Sequence, residues 1–184
     1  MYAINEVRKH NEFISCITKI INIILYIITI PIIIFNFIII IKTIINPNEV
    51  PDFFGYKDFM IVSGSMEPTI MTGDAIIVKE VPESELHEND IISFRDKNII
   101  TTHRIIKIEK QGNRTLYTTK GDNNNTEDRE KISYEEIEGK YQFKLEGLGI
   151  IIKILQSKVT LLILVAILLI NYWFMSKING SKKV

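Results

Sequence analysis

The sequence DIISFRDKNIITTHRIIKIE, at residues 90–109, decides the fold class predicted for this chain. Two runs rich in Ile, Thr and Phe stand on either side of the polar turn RDKN, which is the pattern of paired β-strands. Similar runs separated by turn-forming residues recur between residues 59 and 146. They are FMIV (59–62), AIIVKEV (75–81), RTLYTTK (114–120) and GKYQFKLE (139–146). The spacing predicts a mostly β fold, a small and largely antiparallel domain.

Two uncharged apolar runs flank this domain. The first, IINIILYIITIPIIIFNFIIII at residues 20–41, is long enough to cross a hydrocarbon layer of roughly 30 Å as a helix. It is longer than the apolar core of a cleaved secretory signal and lacks a small-residue exit. The second, VTLLILVAILLINYWFM at residues 159–175, ends in Tyr172 and Trp173, which suit a membrane interface. The alternatives are a buried helix for the first run and an interfacial helix for the second.

The predicted organisation has five parts. They are a cytoplasmic segment (1–19), a transmembrane helix (20–42), an extracytoplasmic catalytic β-domain (43–158), a second transmembrane helix (159–175) and a cytoplasmic tail (176–184). Two spans would place both termini on one side of the membrane. Lysines flank the spans on both sides, so the positive-inside rule does not fix the orientation, which must come from the function.

Composition narrows the function classes. Lys+Arg and Asp+Glu both number 22, so net charge gives no argument for nucleic-acid binding. The single cysteine, Cys16, excludes an intramolecular disulfide. The sequence contains neither a metal-ligand cluster nor a phosphate-binding glycine loop. We therefore predict no metal site and no cofactor.

Three polar patches in the predicted β-domain could carry chemistry. They are Ser63 and Ser65 around Gly64, His103 in TTHRI, and Asp122 and Asp128 in KGDNNNTED. A serine hydroxyl becomes an effective nucleophile when a neighbouring base takes its proton, and a histidine can do this near neutral pH. A carboxylate can orient that histidine. Composition alone does not establish a triad, because a turn, a solvent-facing strand residue and a hairpin loop account for the same residues.

These residues resemble the motifs of type I signal peptidases. SGSMEPTI followed by TGD resembles the family's serine motif, and it follows an N-terminal apolar span directly, as it does in the family. TTHRI is similar to the histidine motif of the endoplasmic-reticulum-type branch, which archaea and some spore-forming bacteria share; the common bacterial branch has a lysine there. YTTKGDNNNTED resembles that branch's third motif. The resemblance covers residues 59–149 and implies a membrane-bound serine endopeptidase that removes N-terminal signal peptides from exported preproteins.

The resemblance assigns roles residue by residue. Ser65 would be the nucleophile, His103 the general base and Asp128 the acidic partner that orients the base. Asp122 matches a second family aspartate, whose role the sequence does not separate from that of Asp128. The backbone N–H of Ser65 and the hydroxyl of Ser63 would hold the oxyanion.

Apolar neighbours of the serine motif are candidate substrate contacts. By resemblance, Ile61, Met66 and Ile70 would help line shallow pockets for the small residues at positions −1 and −3 of the substrate. The alternative is that they are core residues. Gly64 would let the chain turn so that both serine hydroxyls face one point.

Lys107 and Lys120 are alternative bases, because a Ser–Lys dyad serves the common bacterial branch. A lysine base must be buried so that its pKa of about 10.4 falls toward neutrality. Lys107 lies four residues past His103, so on a regular strand the two side chains would share a face. Lys120 precedes a turn and is expected to be more exposed. We favour His103.

The resemblance also implies partners and a location. The partners would be preproteins with signal peptides and the lipid bilayer, without nucleic acid, and association with the secretion machinery is left open. The location would be the cell membrane, as a multi-pass protein with the catalytic domain on the extracytoplasmic face. Two alternatives remain: a protease of the same fold dedicated to one or few substrates, such as a biofilm or spore-coat component, and a non-enzymatic membrane assembly protein.

Overall fold

The computed structural model describes residues 2–47, 49–97, 99–112 and 114–180. The end of the predicted cytoplasmic tail, residues 181–184, lies outside the described residues. The chain divides into two compact units, one formed by Met1–Ile40 with Leu155–Val184 and the other by Ile41–Ile154. The helices are α1 (Tyr2–Ile45), α2 (Gly149–Leu155) and α3 (Lys158–Gly180).

Helices α1 and α3 contain the two apolar runs. Their apolar parts, Phe13–Ile45 and Lys158–Ser176, have mean hydropathies of 2.9 and 2.2 and are long enough to cross a bilayer. Most of their large side chains are exposed, such as Ile27 and Leu162. Isoleucine and leucine exposed on most sides of a helix are stable in lipid and costly in water. The chain is therefore a membrane protein.

Polar side chains join α1 and α3 within the helical unit. Asn171 Nδ2 donates to Asn22 Oδ1 at 2.9 Å, and the Tyr26 hydroxyl donates to Asn171 Oδ1 at 2.8 Å. Asn22 Nδ2 also lies 3.0 Å from Met175 Sδ. Interhelical hydrogen bonds in a membrane contribute about 0.6 kcal/mol on average and up to about 2 kcal/mol. Asn22 and Asn171, polar residues that interrupt the two apolar runs, are thus hydrogen-bonded to each other between the two helices.

The second unit is built on one seven-stranded sheet. The strands are β1 (Tyr56–Met60), β2 (Ala75–Lys79), β3 (Ile91–Asp96), β4 (Ile99–Gln111), β5 (Arg114–Lys120), β6 (Ile132–Ser133) and β7 (Ile137–Leu145). Their order across the sheet is β1-β2-β7-β3-β4-β5-β6, and neighbouring strands pair antiparallel. The last strand in sequence, β7, therefore lies inside the sheet, between β2 and β3. The predicted mostly β, antiparallel domain flanked by two apolar helices is confirmed.

The bounds of several strands differ from the predicted runs by a few residues, and two differences have a clear physical reason. β1 begins three residues before the FMIV run, because an edge strand is held by backbone hydrogen bonds and tolerates the polar residues Lys57 and Asp58. β6 was not predicted, since two residues are too few for an apolar alternation to appear.

Buried apolar side chains form two clusters on the sheet. The first consists of Ile61, Met66, Ile70, Ile76, Val78 and Ile91. The second consists of Leu86, Ile92, Phe94, Ile105, Tyr117 and Ile132. Met66 and Ile70 lie within the serine motif, after Ser65, and are 1% and 0% exposed. The loop that carries Ser65 is therefore anchored in the core on its C-terminal side.

Asp74, the last residue of the TGD stretch, ties the end of this loop to the end of β7. Its buried carboxylate accepts the N–H groups of Met71 at 3.0 Å and Gly147 at 2.9 Å, and it lies 3.8 Å from Lys144 Nζ. Burial alone would raise the pKa of Asp74, but the two hydrogen bonds and Lys144 hold it below its ordinary value. Gly147 has a φ of +65°, a conformation that side chains with a Cβ rarely adopt.

We expect Asp74→Asn to destabilise the β-domain by about 1–3 kcal/mol, because the new amide group must face one of the two N–H donors with its own NH₂. Thermal unfolding of the full-length protein in detergent, followed by circular dichroism, measures the change. Glu146→Gln is the control, since its side chain is 77% exposed and pairs with Lys144 at the surface. Equal stability of the Asp74→Asn protein and the parent would contradict this role for Asp74.

Candidate active site

Ser65 lies in a single 3₁₀ turn, Gly64–Met66, which Ser63 precedes in an extended conformation. The hydroxyl oxygens of Ser63 and Ser65 are 3.4 Å apart. Gly64 does not adopt a positive φ, and a Cβ added there would come within 3.1–3.3 Å of the Glu67 carboxylate group. The 3₁₀ turn, rather than a conformation reserved for glycine, therefore brings the two hydroxyls together.

The loop after β5 holds the Ser65 turn in place. The backbone N–H of Asn123 donates to the Ser65 carbonyl at 2.8 Å, and Asn123 Nδ2 donates to the Gly64 carbonyl at 3.1 Å. A Cβ added to Gly121 would lie only 2.6 Å from the Ser65 carbonyl oxygen. The glycine of the KGDNNN stretch is therefore required for the close approach of these two backbone segments.

His103, on β4, lies between Ser65 and Asp128. Its Nε2 is 3.2 Å from Ser65 Oγ, and its Nδ1 is 2.6 Å from Asp128 Oδ2. The same Asp128 oxygen accepts the Thr119 hydroxyl at 2.7 Å. In the neutral tautomer with the proton on Nδ1, the ring donates to the Asp128 carboxylate and Nε2 presents its lone pair to Ser65. This is the geometry that a nucleophile, its base and an orienting acid require.

Asp122 occupies a different place from Asp128. The Nε and NH2 groups of Arg104 donate to its two oxygens at 2.8 and 2.7 Å, and the Thr69 hydroxyl donates to it at 2.6 Å. The bidentate bond to Arg104 holds the pKa of Asp122 below its ordinary value, against the opposing effect of partial burial. Asp122 thus ties the serine loop, through Thr69, to the strand that carries His103.

Neither alternative lysine has the environment of a base. A β-bulge between Ile105 and Lys107 breaks the regular alternation of β4. The Lys107 side chain is 61% exposed and lies 2.8 Å from Glu109, which raises the pKa of Lys107 further. Lys120 is half-buried and thus less exposed than Lys107, so the expectation that it is the more exposed of the two is wrong. Among the described residues, however, the Ser65 hydroxyl has hydrogen-bond partners in His103 and Ser63 and none in Lys120.

The three predicted pocket residues are part of the core. Ile61, Met66 and Ile70 are 9%, 1% and 0% exposed and belong to the first buried cluster. This burial favours the alternative that Met66 and Ile70 are core residues. Contact of any of the three with a substrate stays a prediction.

Four residues that support the site were not identified from the sequence patterns. They are Arg104, Thr119, Gly121 and Asn123. All four lie inside or beside the TTHRI and YTTKGDNNNTED motifs, so a sequence signal for them existed. Their contacts depend on how β4, β5 and the two loops meet in space, which the motifs do not state.

The sequence of this chain is similar to those of several known proteins. Over 125 residues, the chain is 42% identical to signal peptidase I W of Bacillus subtilis (strain 168), a match that covers 67% of this chain. The chain belongs to the type I signal peptidase family. It is also 34% identical over 73 residues to the human signal peptidase complex catalytic subunit SEC11C, and 35% identical over 74 residues to the SEC11 subunit of Colletotrichum graminicola. The last two matches cover 38% and 39% of this chain.

The three matches span less than two thirds of the relatives' own lengths, namely 65%, 38% and 43%. No family model matches the chain. The resemblance to type I signal peptidases that the motifs indicated is confirmed, and the eukaryotic catalytic subunits agree with the endoplasmic-reticulum-type branch of the family.

In this signal peptidase family member, we expect Asp122→Asn to lower the free energy of unfolding by about 1–3 kcal/mol at neutral pH, because the charged bidentate bond to Arg104 is lost. A carboxyl with a lowered folded-state pKa stabilises the protein above its unfolded pKa, and this contribution disappears as the pH falls through the folded value. The difference between parent and variant should therefore shrink below about pH 4.

Urea unfolding of the full-length proteins in detergent at several pH values measures this difference. Glu130→Gln serves as the control, because the Glu130 side chain is 77% exposed and its nearest cation, Lys97, is 3.9 Å away. A parent–variant difference that stays constant down to pH 2 would exclude the Arg104–Asp122 pair as its source.

Proposed function

We propose that this chain is a membrane-bound serine endopeptidase that removes N-terminal signal peptides from exported preproteins. The observation that carries the proposal is the position of His103, 3.2 Å from Ser65 Oγ and 2.6 Å from Asp128 Oδ2. Family membership supports the class of substrate, because the relatives are named as signal peptidases or their catalytic subunits.

In the proposed reaction, His103 Nε2 takes the proton of Ser65 while Oγ attacks the scissile carbonyl. Asp128 keeps the Nδ1–H tautomer and stabilises the imidazolium that forms. The bond to the leaving nitrogen then breaks, His103 gives it the proton, and an acyl-enzyme remains on Ser65. Water, activated by the same histidine, hydrolyses this ester and restores the hydroxyl.

The oxyanion would be held by the backbone N–H of Ser65 and the hydroxyl of Ser63. The 3.4 Å separation of the two hydroxyl oxygens supports this role, since it places a donor beside the atom that attacks. A positioned donor of this kind contributes about 2.7–4 kcal/mol to transition-state stabilisation.

We expect Ser65→Ala and His103→Ala each to lose cleavage of a signal-bearing preprotein by about 10⁴-fold or more, because the two groups act as one unit. Ser63→Ala should retain Ser65 and lose about 10²–10³-fold in kcat. Cleavage by the detergent-purified full-length chain, followed by electrophoresis, measures all three. His87→Ala is the matched control, since the His87 side chain is 71% exposed and lies outside the site.

An active His103→Ala protein would exclude His103 as the base and return Lys107 to consideration. If the parent leaves general preproteins intact but cuts a single exported substrate, the enzyme is a dedicated protease of the same fold. If it cuts no preprotein, the proposed function is wrong.

We further propose that the chain crosses the membrane twice, with residues 43–158 on the extracytoplasmic face and both termini in the cytoplasm. The two apolar helices support two crossings, and the substrate class supports the side, because exported precursors emerge there. The cytoplasmic segments would be 1–19 and 176–184.

When a protease is added to intact spheroplasts, we expect it to cut the protein within residues 43–158 while an N-terminal epitope tag stays protected. Immunoblotting with the tag antibody, before and after permeabilisation, measures this. Removal of the tag from intact spheroplasts would show the opposite orientation, with the N-terminus outside. A β-domain that the protease does not cut in intact spheroplasts but does cut after permeabilisation would exclude an extracytoplasmic active site.

A further inference from the structure

A cavity of about 540 Å³ opens beside His103 in the β-domain. The β3–β4 hairpin forms one side, and the segment that follows Asp128 forms the other. The lining residues that matter here are Phe94, Asp96, Thr101, His103, Asp128 and Arg129. Ser63 and Ser65 do not line it. The cavity therefore adjoins the base and its acid partner but not the nucleophile.

The chemistry of acyl transfer determines which part of a substrate passes this cavity. The proton that His103 takes from Ser65 must be given to the leaving nitrogen, so that nitrogen has to come within hydrogen-bond reach of Nε2. In the proposed reaction the carbonyl oxygen is held at Ser63, which does not line the cavity. The chain that follows the scissile bond therefore starts beside His103, which does line it.

The cavity has the size and the rigid wall of a binding site. Its volume lies within the range of about 300–1,000 Å³ that is usual for ligand pockets. Phe94 is 4% exposed and packs edge-on against the His103 ring with centroids 6.3 Å apart. The wall shared with the catalytic base is thus fixed in position by the core.

Charged side chains surround the cavity in equal numbers of each sign. The cations are Arg95, Lys97, Arg129 and Lys131, and the anions are Asp96, Asp128, Glu130 and Glu136. Most are already engaged within the protein, for example Arg95 with Glu138 at 2.7 Å and Lys131 with Glu109. A cavity with this lining suits polar or charged side chains better than apolar ones.

Arg129 and Asp96 are the exceptions. Neither side chain forms a hydrogen bond or an ion pair with another residue in the part of the chain that the structure describes. Arg129 directly follows Asp128, and Asp96 lies at the end of β3 beside the β3–β4 turn. One cation and one anion are therefore available to a bound peptide.

We propose that this cavity binds the first residues of the mature chain, after the scissile bond, and that Arg129 and Asp96 favour acidic and basic side chains there. The inference rests on the proposed function and extends it to the leaving-group side of the substrate. It assigns to Arg129 and Asp96 a role in specificity, separate from the chemistry at Ser65.

The test uses one preprotein with a constant signal region and with Asp, Asn or Lys placed in turn at positions +1, +2, +3 and −2. The full-length parent, Arg129→Gln and Asp96→Asn are compared in detergent by kcat/KM for each substrate. For the substrates with Asp and with Asn at the same position, Arg129→Gln should lower the ratio of their kcat/KM values about two- to fivefold at one or more of positions +1 to +3. Asp96→Asn should lower the corresponding ratio for the substrates with Lys and with Asn by a similar factor. Arg114→Gln, an exposed arginine outside the cavity, should change neither ratio.

Each outcome decides the inference. If the parent is active and neither variant changes the ratios at positions +1 to +3, the inference is overturned and the proposed function stands. Effects confined to position −2 overturn the assignment to the leaving-group side. A parent that cleaves no substrate of the panel overturns the proposed function, and the inference falls with it.

Discussion

The site depends on the contact between two loops that are far apart in sequence. The Ser65 turn follows β1, whereas the loop that bonds its carbonyl through Asn123 follows β5. Because a Cβ at Gly121 would lie 2.6 Å from that carbonyl, the two backbones touch. This contact holds Ser65 at the end of β5, beside the strand on which His103 lies 3.2 Å from its hydroxyl, while the burial of Met66 and Ile70 anchors the following part of the loop in the core.

Two carboxylates outside the group Ser65, His103 and Asp128 support this contact in different ways. Asp74 holds the end of the serine loop to the chain after β7, and Asp122 holds Thr69 of that loop to Arg104 on β4. Both have lowered pKa values, so both stay ionised at neutral pH and act as fixed acceptors. The two aspartates of the third motif therefore differ in position: Asp128 is hydrogen-bonded to His103, whereas Asp122 is hydrogen-bonded to Arg104, the next residue on β4.

Much of the fold could be predicted from the short runs of β-branched and aromatic residues separated by turn-forming residues. The residue types of the site could be predicted from the sequence motifs. β2 to β5 and β7 carry enough β-branched and aromatic residues to be recognised, whereas β6, with two residues, is visible only through its pairing with Leu116 and Tyr117 on β5. The hydrogen-bond partners of the site residues were harder to predict from the sequence. Arg104 meets Asp122 because β4 and β5 pair with Arg104 opposite Lys120, two residues before Asp122. Thr119 meets Asp128 because the loop after β5 folds back, so that the Asp128 N–H donates to the Thr119 carbonyl.

The β-bulge in β4 illustrates why spacing alone could not choose the base. On a regular strand, His103 and Lys107 would point to the same face, since they are four residues apart. The extra residue between Ile105 and Lys107 shifts the register against β5. His103 therefore stays in the site with a side chain 9% exposed, while Lys107 reaches Glu109 and solvent. A single irregularity in one strand thus leaves histidine beside the serine and keeps the lysine protonated and distant from the site's chemistry.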